Sequence, residues 1–280
     1  MGQYSCMEMR CADCGCLVDQ GDVVERCGES DCCCTDLPDK QRDSPDLDPV
    51  ARLVHAIHGG DIESVRRLIA ASPELVNSPL GGASKTRTAL HIVADWPGYF
   101  PNGPEIVRML LAAGADPNYR DPEPGSETPL HWAASSDDVD VASALIDGGA
   151  DIEIPDGSIG TPLDNAIGYA CWNVARLLVS RGVKIDKLWH ASALGLLTRL
   201  AELAEEQPEG AELSKAFWHA CAGGQRRAAE YLLLRGADVN WIPDYAEGTP
   251  LDAANGLGTR QENVITWLRE KGARSAESKP

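Results

Sequence analysis

The chain has 280 residues, which is enough for two average domains and for a sizeable hydrophobic core without stabilising cross-links. Its 43 acidic and 25 basic side chains give a formal net charge of −18, which would repel the phosphate backbone of a nucleic acid. No stretch free of Asp, Glu, Lys and Arg exceeds eleven residues and no positive flank precedes an apolar run at the N-terminus, so we expect a soluble, cytoplasmic protein without a membrane span.

Cysteine is concentrated at the N-terminus, where eight of the ten cysteines precede residue 35. Four of them, Cys11, Cys14, Cys27 and Cys32, form two pairs that are separated by twelve residues. The arrangement resembles a small zinc ribbon, in which four thiolates hold Zn²⁺ tetrahedrally and the metal replaces a hydrophobic core. The second pair is spaced more widely than in a ribbon, and four further cysteines could compete as ligands: Cys6, Cys16, Cys33 and Cys34.

We therefore predict a cysteine-rich, zinc-ribbon-like module at residues 1–36. An iron–sulfur cluster, a thiol redox switch, or a disordered segment without metal are the alternatives. Residues 37–48 are rich in aspartate and proline and are predicted to be an acidic linker. Residues 1–48 contain 12 acidic and 4 basic side chains, which argues against nucleic-acid binding by this module.

Beyond the linker, two short phrases recur along the chain. The first is Thr-Pro-Leu-His or a close variant, and it opens an alanine-rich helical stretch at Thr88, Thr128, Thr161 and Thr249. The second is Gly-Ala-Asp or a close variant, and it follows an apolar helix at Gly114, Gly149, Gly182 and Gly236. We expect each glycine to end its helix in the left-handed conformation, and each acidic residue to start a turn.

These phrases resemble the signature of the ankyrin-repeat family, particularly its bacterial members, over residues 49–274. The resemblance implies an all-α solenoid of about seven helix–turn–helix repeats with hairpin-like turns, followed by a polar tail at 275–280. It also implies that histidines of the signature make local hydrogen bonds that tie neighbouring repeats, namely His91, His131, His190 and His219. The fifth repeat is compressed and lacks the closing phrase, so we expect the weakest coupling at 205–213.

The resemblance further implies that the protein binds a protein partner through a concave face of front helices and turn tips. The family's variable positions correspond one by one to Arg87, Asp95, Trp96, Glu127, Ser135, Ser136 and Tyr169. We add two aromatic residues of a later turn, Trp241 and Tyr245. No phosphate loop or hydrolase motif supports catalysis, so we predict a monomeric, non-enzymatic binding module with a structural zinc. The alternative is a redox or metal sensor whose N-terminal cysteines regulate partner binding.

The second repeat departs from the family pattern between Asp95 and Pro104. Residues 96–103 are inserted where about two residues normally join the helices of a pair, and three of them are aromatic. Prolines and glycines stop a helix in this segment. We expect its aromatic side chains to pack down on the repeats, because exposed aromatic surface lowers solubility.

Overall fold

The computed structural model of the chain describes residues 9–10, 17–18, 48–80, 87–256 and 261–276. Within the predicted cysteine-rich module it describes a short antiparallel pair, β1 (Met9–Arg10) with β2 (Leu17–Val18). The predicted zinc ligands Cys11, Cys14, Cys27 and Cys32 lie outside the described residues, so the zinc site stays a prediction. The described ranges themselves contain no group of His, Cys, Asp and Glu side chains that could hold a metal ion.

From residue 49 onward the described chain is helical, which confirms the all-α part of the predicted fold class, and its helices follow one another in seven pairs. Numbered in chain order, pairs one to seven are α1 (Pro49–His58) with α2 (Ile62–Ala71), α3 (Ala89–Ala94) with α4 (Gly103–Ala112), α5 (Pro129–Ser135) with α6 (Val139–Asp147), α7 (Pro162–Gly168) with α8 (Trp172–Ser180), α9 (Leu188–Ala193) with α10 (Leu197–Ala204), α11 (Gly210–Ala222) with α12 (Arg226–Leu233), and α13 (Pro250–Ala254) with α14 (Glu262–Glu270). A short 3₁₀ turn, Pro73–Val76, follows α2. In the parts of the chain that the structure describes, no helix has the length and apolar character needed to cross a bilayer.

The chain divides into two compact units with a boundary between Ala166 and Ile167, inside α7. We refer to them as the N-terminal unit and the C-terminal unit. Each has its own core of aliphatic side chains, because every helix is amphipathic and buries one apolar stripe. Leu90, Leu110 and Leu130 are fully buried in the first unit, and Leu200 and Phe217 are fully buried in the second.

Short polar side chains start many of the helices. The Asp61 carboxylate accepts from the Ser64 amide at 3.0 Å at the start of α2, and Asp138 accepts from the Val141 amide at 3.0 Å at the start of α6. These bonds satisfy amides that have no partner within the helix. At α3, α5 and α13 the threonine of the first phrase takes the capping position, as in a capping box.

The second phrase ends pairs two, three, four and six, and asparagines after three of the pairs connect each of those pairs to the next. Gly114 has a φ of 95°, in the left-handed region that glycine adopts without strain, as predicted. In the turn after pair two, Asn118 donates from Nδ2 to the Gly149 carbonyl at 3.2 Å and accepts at Oδ1 from the Asp151 amide at 2.8 Å. Asn77 and Asn240 make the same two bonds to the repeat that follows each of them. We call these three asparagines, each with its two bonds, the asparagine joints.

Candidate partner-binding surface

The histidine of pair two connects that pair to the next one. The Thr88 amide donates to His91 Nδ1 at 3.1 Å, which leaves Nε2 to donate to the Glu127 carbonyl at 3.0 Å. Burial of the ring lowers the pKa of His91 to about 4. The side chain is therefore neutral at physiological pH and fully used by the backbone, as the family resemblance implies.

The same arrangement recurs in pair three. His131 Nδ1 accepts from the Thr128 amide at 3.2 Å, and Nε2 lies 3.0 Å from the Gly160 carbonyl. In the repeats that have aspartate instead of histidine, the Asp164 carboxylate accepts from the Thr161 amide at 2.7 Å. These side chains hold turns and helix starts in place, so none of them is a candidate for catalysis or partner contact.

The histidines of pairs five and six have different surroundings, which sequence alignment alone did not show. Lys187 rather than threonine precedes α9, and it makes no capping bond with its side chain. His219 lies within α11, and its Nε2 is 3.0 Å from the Tyr245 hydroxyl. Burial, with smaller contributions from the charge of Lys215 and from His190, lowers the pKa of His219 to about 3. The threonine-capped role of His91 therefore does not extend to His219.

Around His219 lies a group of aromatic and basic side chains that we call the aromatic–lysine cluster: Lys187, Trp189, Lys215, Trp218 and Tyr245. Its members come from α9, from α11 and from the turn before α13. The Trp189 and His219 rings have centroids 4.6 Å apart, and the Trp218 and Tyr245 rings meet edge to face at 6.2 Å. The Lys215 ammonium lies 5.2 Å from the Trp189 centroid and 5.7 Å from that of Tyr245, within the range of cation–π attraction.

This cluster combines apolar faces with positive charge at a partly exposed place. The second ammonium, that of Lys187, lies 5.6 Å from the Trp189 centroid. Trp218 Nε1 donates to the Gly248 carbonyl at 3.0 Å, which fixes the ring beside the turn. Burial and the nearby Asp244 carboxylate raise the pKa of Tyr245, so its hydroxyl stays neutral. Sequence reasoning selected Tyr245 and Trp241 but missed the two tryptophans, although a repeated Trp-His dipeptide marks both of them.

The polar candidates of pair two are engaged with each other. The Arg87 guanidinium forms an ion pair with the Asp95 carboxylate, and it also lies 5.5 Å from the Trp132 ring centroid. Burial raises the pKa of Asp95, although the neighbouring Arg87 opposes that shift. Both side chains are half-buried. Arg87 and Asp95 therefore stabilise the contact between pair two and the first helix of pair three.

The polar candidates of pair three also have partners within the protein. Glu127 Oε1 accepts from Asn165 Nδ2 at 2.7 Å and from the Ser158 amide at 3.2 Å. Ser135 Oγ donates to the His131 carbonyl at 3.0 Å. Ser136 Oγ donates to the Ala94 carbonyl of the preceding pair at 3.1 Å. These three side chains hold local structure, and their role as partner contacts stays a prediction.

The aromatic candidates are the ones that reach solvent. Trp96, Tyr169 and Tyr245 are 45%, 44% and 42% exposed, and Trp241 is half-buried. The expectation that the aromatics of the insertion pack down is therefore wrong for Trp96 and for Tyr99, and it holds only in part for Phe100, which stacks on His58 with centroids 4.6 Å apart. The loop is anchored by backbone and polar contacts, so its aromatic rings need not be buried to hold it.

Comparisons with known proteins identify the repeats. The family model described as ankyrin repeats matches residues 99–188 in three copies. The rice (Oryza sativa subsp. japonica) potassium channel KOR1 is 33% identical over 174 residues, which is 61% of this chain and 18% of the channel. The fission yeast (Schizosaccharomyces pombe) glycerophosphocholine phosphodiesterase gde1 is 33% identical over 152 residues, which is 53% of this chain and 12% of that enzyme. The chain thus corresponds to a small part of either relative.

A solved structure was also matched over most of the chain. The crystal structure of the ankyrin repeat domain of Bcl-3 superposes with a TM-score of 0.47 and 25% identity, and it covers 81% of this chain and all of that domain. Ankyrin repeats are generally scaffolds for protein–protein interaction.

Proposed function

We propose that this protein binds a protein partner through the first helices and turn tips of its repeats, and that the aromatic–lysine cluster is the main contact in the C-terminal unit. One observation carries the proposal: Tyr245 is exposed while Lys215 and Trp218 flank its ring. Rigid aromatic side chains beside charged groups are the residues that contribute most binding energy in protein interfaces.

Within this proposal the predicted residues divide into two roles. The aromatic side chains contact the partner: Trp96, Tyr169, Trp241 and Tyr245. The polar side chains keep the contact surface in shape: Arg87, Asp95, Glu127, Ser135 and Ser136. The proposal also includes what we expect from the sequence alone. It describes a monomeric, cytoplasmic, bacterial protein that has no enzymatic activity and binds protein rather than nucleic acid.

The test compares cluster variants with a matched surface variant of the full chain. Tyr245→Ser and Lys215→Gln should abolish capture of partner proteins from the native cell extract. Leu234→Ser removes an even more exposed apolar side chain outside the cluster and should leave capture unchanged. Leu234→Ser should keep the free energy of unfolding within about 0.5 kcal/mol of the parent. Tyr245→Ser loses the hydrogen bond between its hydroxyl and His219, and Lys215→Gln loses its cation–π contacts, so each should cost about 1 kcal/mol and leave the chain folded. Partner capture that survives both cluster changes would contradict the proposal.

We also propose that residues 1–36 bind one structural Zn²⁺ through Cys11, Cys14, Cys27 and Cys32, on the strength of their paired spacing. Freshly reduced protein should then contain about one zinc per chain, and Cys11→Ser should lose it. Cys6→Ser is the control and should retain the metal. Zinc-free reduced protein would contradict the site, and partner capture that changes with thiol oxidation would favour the redox sensor instead.

A further inference from the structure

The loop inserted into pair two, residues 96–102, presents two aromatic rings to solvent. Trp96 is about half exposed, and Tyr99 is 58% exposed, the highest value for an aromatic side chain in the described residues. Exposed aromatic groups lower solubility. Most of the other helix pairs of this chain are joined by turns of a few residues and have no such insertion. Retention of the two rings on a long loop therefore needs an explanation other than packing.

The loop is held firmly on both sides. The Tyr99 amide donates to the Asp138 carboxylate, and the Tyr99 hydroxyl donates to the Asp137 carbonyl at 2.6 Å, both in pair three. On the other side, Asn102 Nδ2 donates to the Gly60 carbonyl of pair one at 2.8 Å. Because the loop is fixed before any partner arrives, binding to it costs little conformational entropy.

The surroundings of the loop are acidic. Residues 87–147 contain ten acidic side chains and three basic ones, Arg87, Arg108 and Arg120, of which Arg87 is paired with Asp95. Burial of the hydroxyl and the carboxylates of the Asp137–Asp140 segment raise the pKa of Tyr99, which shows that these charges act on the ring. Asp140 lies in the first turn of α6 and is exposed. A cation near the two rings would therefore gain from both the aromatic faces and the carboxylates.

We propose that the inserted loop is a second docking surface that binds a short, arginine-rich segment of a partner protein. A guanidinium group stacks on the faces of Trp96 or Tyr99, while a neighbouring basic side chain pairs with the Asp140 carboxylate. Arginine fits better than lysine because its planar, weakly hydrated cation stacks on aromatic rings. This surface lies in the N-terminal unit and attracts positive charge. The aromatic–lysine cluster, which carries two ammonium groups, attracts negative charge instead.

The test measures the affinity of the full chain for a fluorescent peptide of alternating arginine and serine at physiological salt. Trp96→Ala and Asp140→Asn should each weaken binding about tenfold, the loss expected for one favourable cation contact. Tyr99→Phe keeps the ring but loses the hydroxyl bond to the Asp137 carbonyl, so its loss of affinity should be smaller than that of Trp96→Ala. A peptide with lysine in place of arginine should bind several-fold more weakly.

Matched controls separate a specific site from general attraction to an acidic protein. Leu234→Ser removes an exposed apolar side chain outside both proposed contact surfaces, and Glu212→Gln removes one exposed charge in the C-terminal unit. Equal losses in these controls, or full affinity in Trp96→Ala, would overturn the proposal. Should Trp96→Ala fail to fold, Trp96→Leu replaces it and the same result is required. Tyr245→Ser should leave the peptide affinity unchanged, so failure of this surface and failure of the aromatic–lysine cluster can be distinguished.

Discussion

Pairs two and three and pairs five and six have histidine at the same place in their helices but use it differently. In the first region, threonine amides and neighbouring carbonyls engage both nitrogens of His91 and His131. In the second region the threonine is missing, and His219 packs among aromatic rings beside the Tyr245 hydroxyl. Repeats that keep the signature use these polar groups to bind one another, whereas pairs five and six, which lack the threonine, carry the aromatic–lysine cluster.

The residue before each histidine also differs in burial between the two regions. Substitutions at this position should have the largest effect on the free energy of unfolding. Leu130 is fully buried, whereas Trp189 takes the corresponding place in pair five and is only half-buried. Leu130→Ala should therefore reduce the free energy of unfolding by about 2–5 kcal/mol. Trp189→Ala should cost less, about 1–2 kcal/mol, because part of its ring already faces water. Urea denaturation measures both, and the reverse order would break the comparison.

Acid should weaken both regions through their buried histidines. The pKa values of His91 and His219 in the folded protein are about 4 and about 3, while an unfolded histidine has a pKa near 6.5. Between these values the unfolded chain binds protons that the folded chain does not, so stability is full above pH 6.5 and falls as the pH is lowered towards 4. The loss should be about 3 kcal/mol for His91.

Unfolding by urea at pH 7 and at pH 4.5 measures this acid sensitivity. His91→Asn keeps a polar side chain without a titratable group, so this variant should be less stable at pH 7 and should lose less stability on acidification. An unchanged pH dependence in the variant would show that His91 is not one of the groups responsible.

Restoring the missing signature residue is a milder test. Thr128→Ala removes a capping box and should cost about 1 kcal/mol. Lys187→Thr places a threonine three residues before His190 and should stabilise pair five by a similar amount. It also removes one ammonium from the aromatic–lysine cluster, so partner capture should weaken while stability rises. Thermal unfolding and partner capture in the same preparation report both effects.

Much of the fold is predictable from the sequence because its signals are local. Thr88 and His91 are three residues apart, and the left-handed Gly114 follows directly on its helix, so the phrases predict caps and ends of helices correctly. Contacts over longer separations were not predictable. Glu127 looked free in the sequence because its partners Ser158 and Asn165 are 31 and 38 residues away.

The two docking surfaces show the same limit. Trp189, Lys215 and Tyr245 belong to three different parts of the chain, and an alignment by repeat position treats Trp189 as one more core residue. The composition of the inserted loop predicted that it is not helical, but the exposure of Tyr99 depends on Asp138, 39 residues further on. Surfaces built across repeats therefore require the structure, whereas the repeats themselves do not.

The smallest expected effect is a difference in local opening between pairs five and six. α10 fully buries only Leu200, and no asparagine joint follows it before the break at Pro208. α12 buries Ala228, Ala229 and Leu232. Amide hydrogens of residues 197–207 should exchange faster than those of 226–233, because few buried contacts oppose their opening. Equal protection of the two segments would show that the compressed repeat is as well coupled as its neighbour.

The asparagine joints bear on how such an array can change in length. Each asparagine joint binds only backbone groups of the following repeat. The bonds made by Asn77, Asn118 and Asn240 therefore do not depend on the side chains of that repeat. A duplicated or exchanged repeat therefore keeps its connection as long as its backbone turn is conserved. Repeats three to five end without asparagine at this place, so an exchanged repeat could not use this joint there. Recombination within this gene would accordingly be tolerated best near the ends of the array.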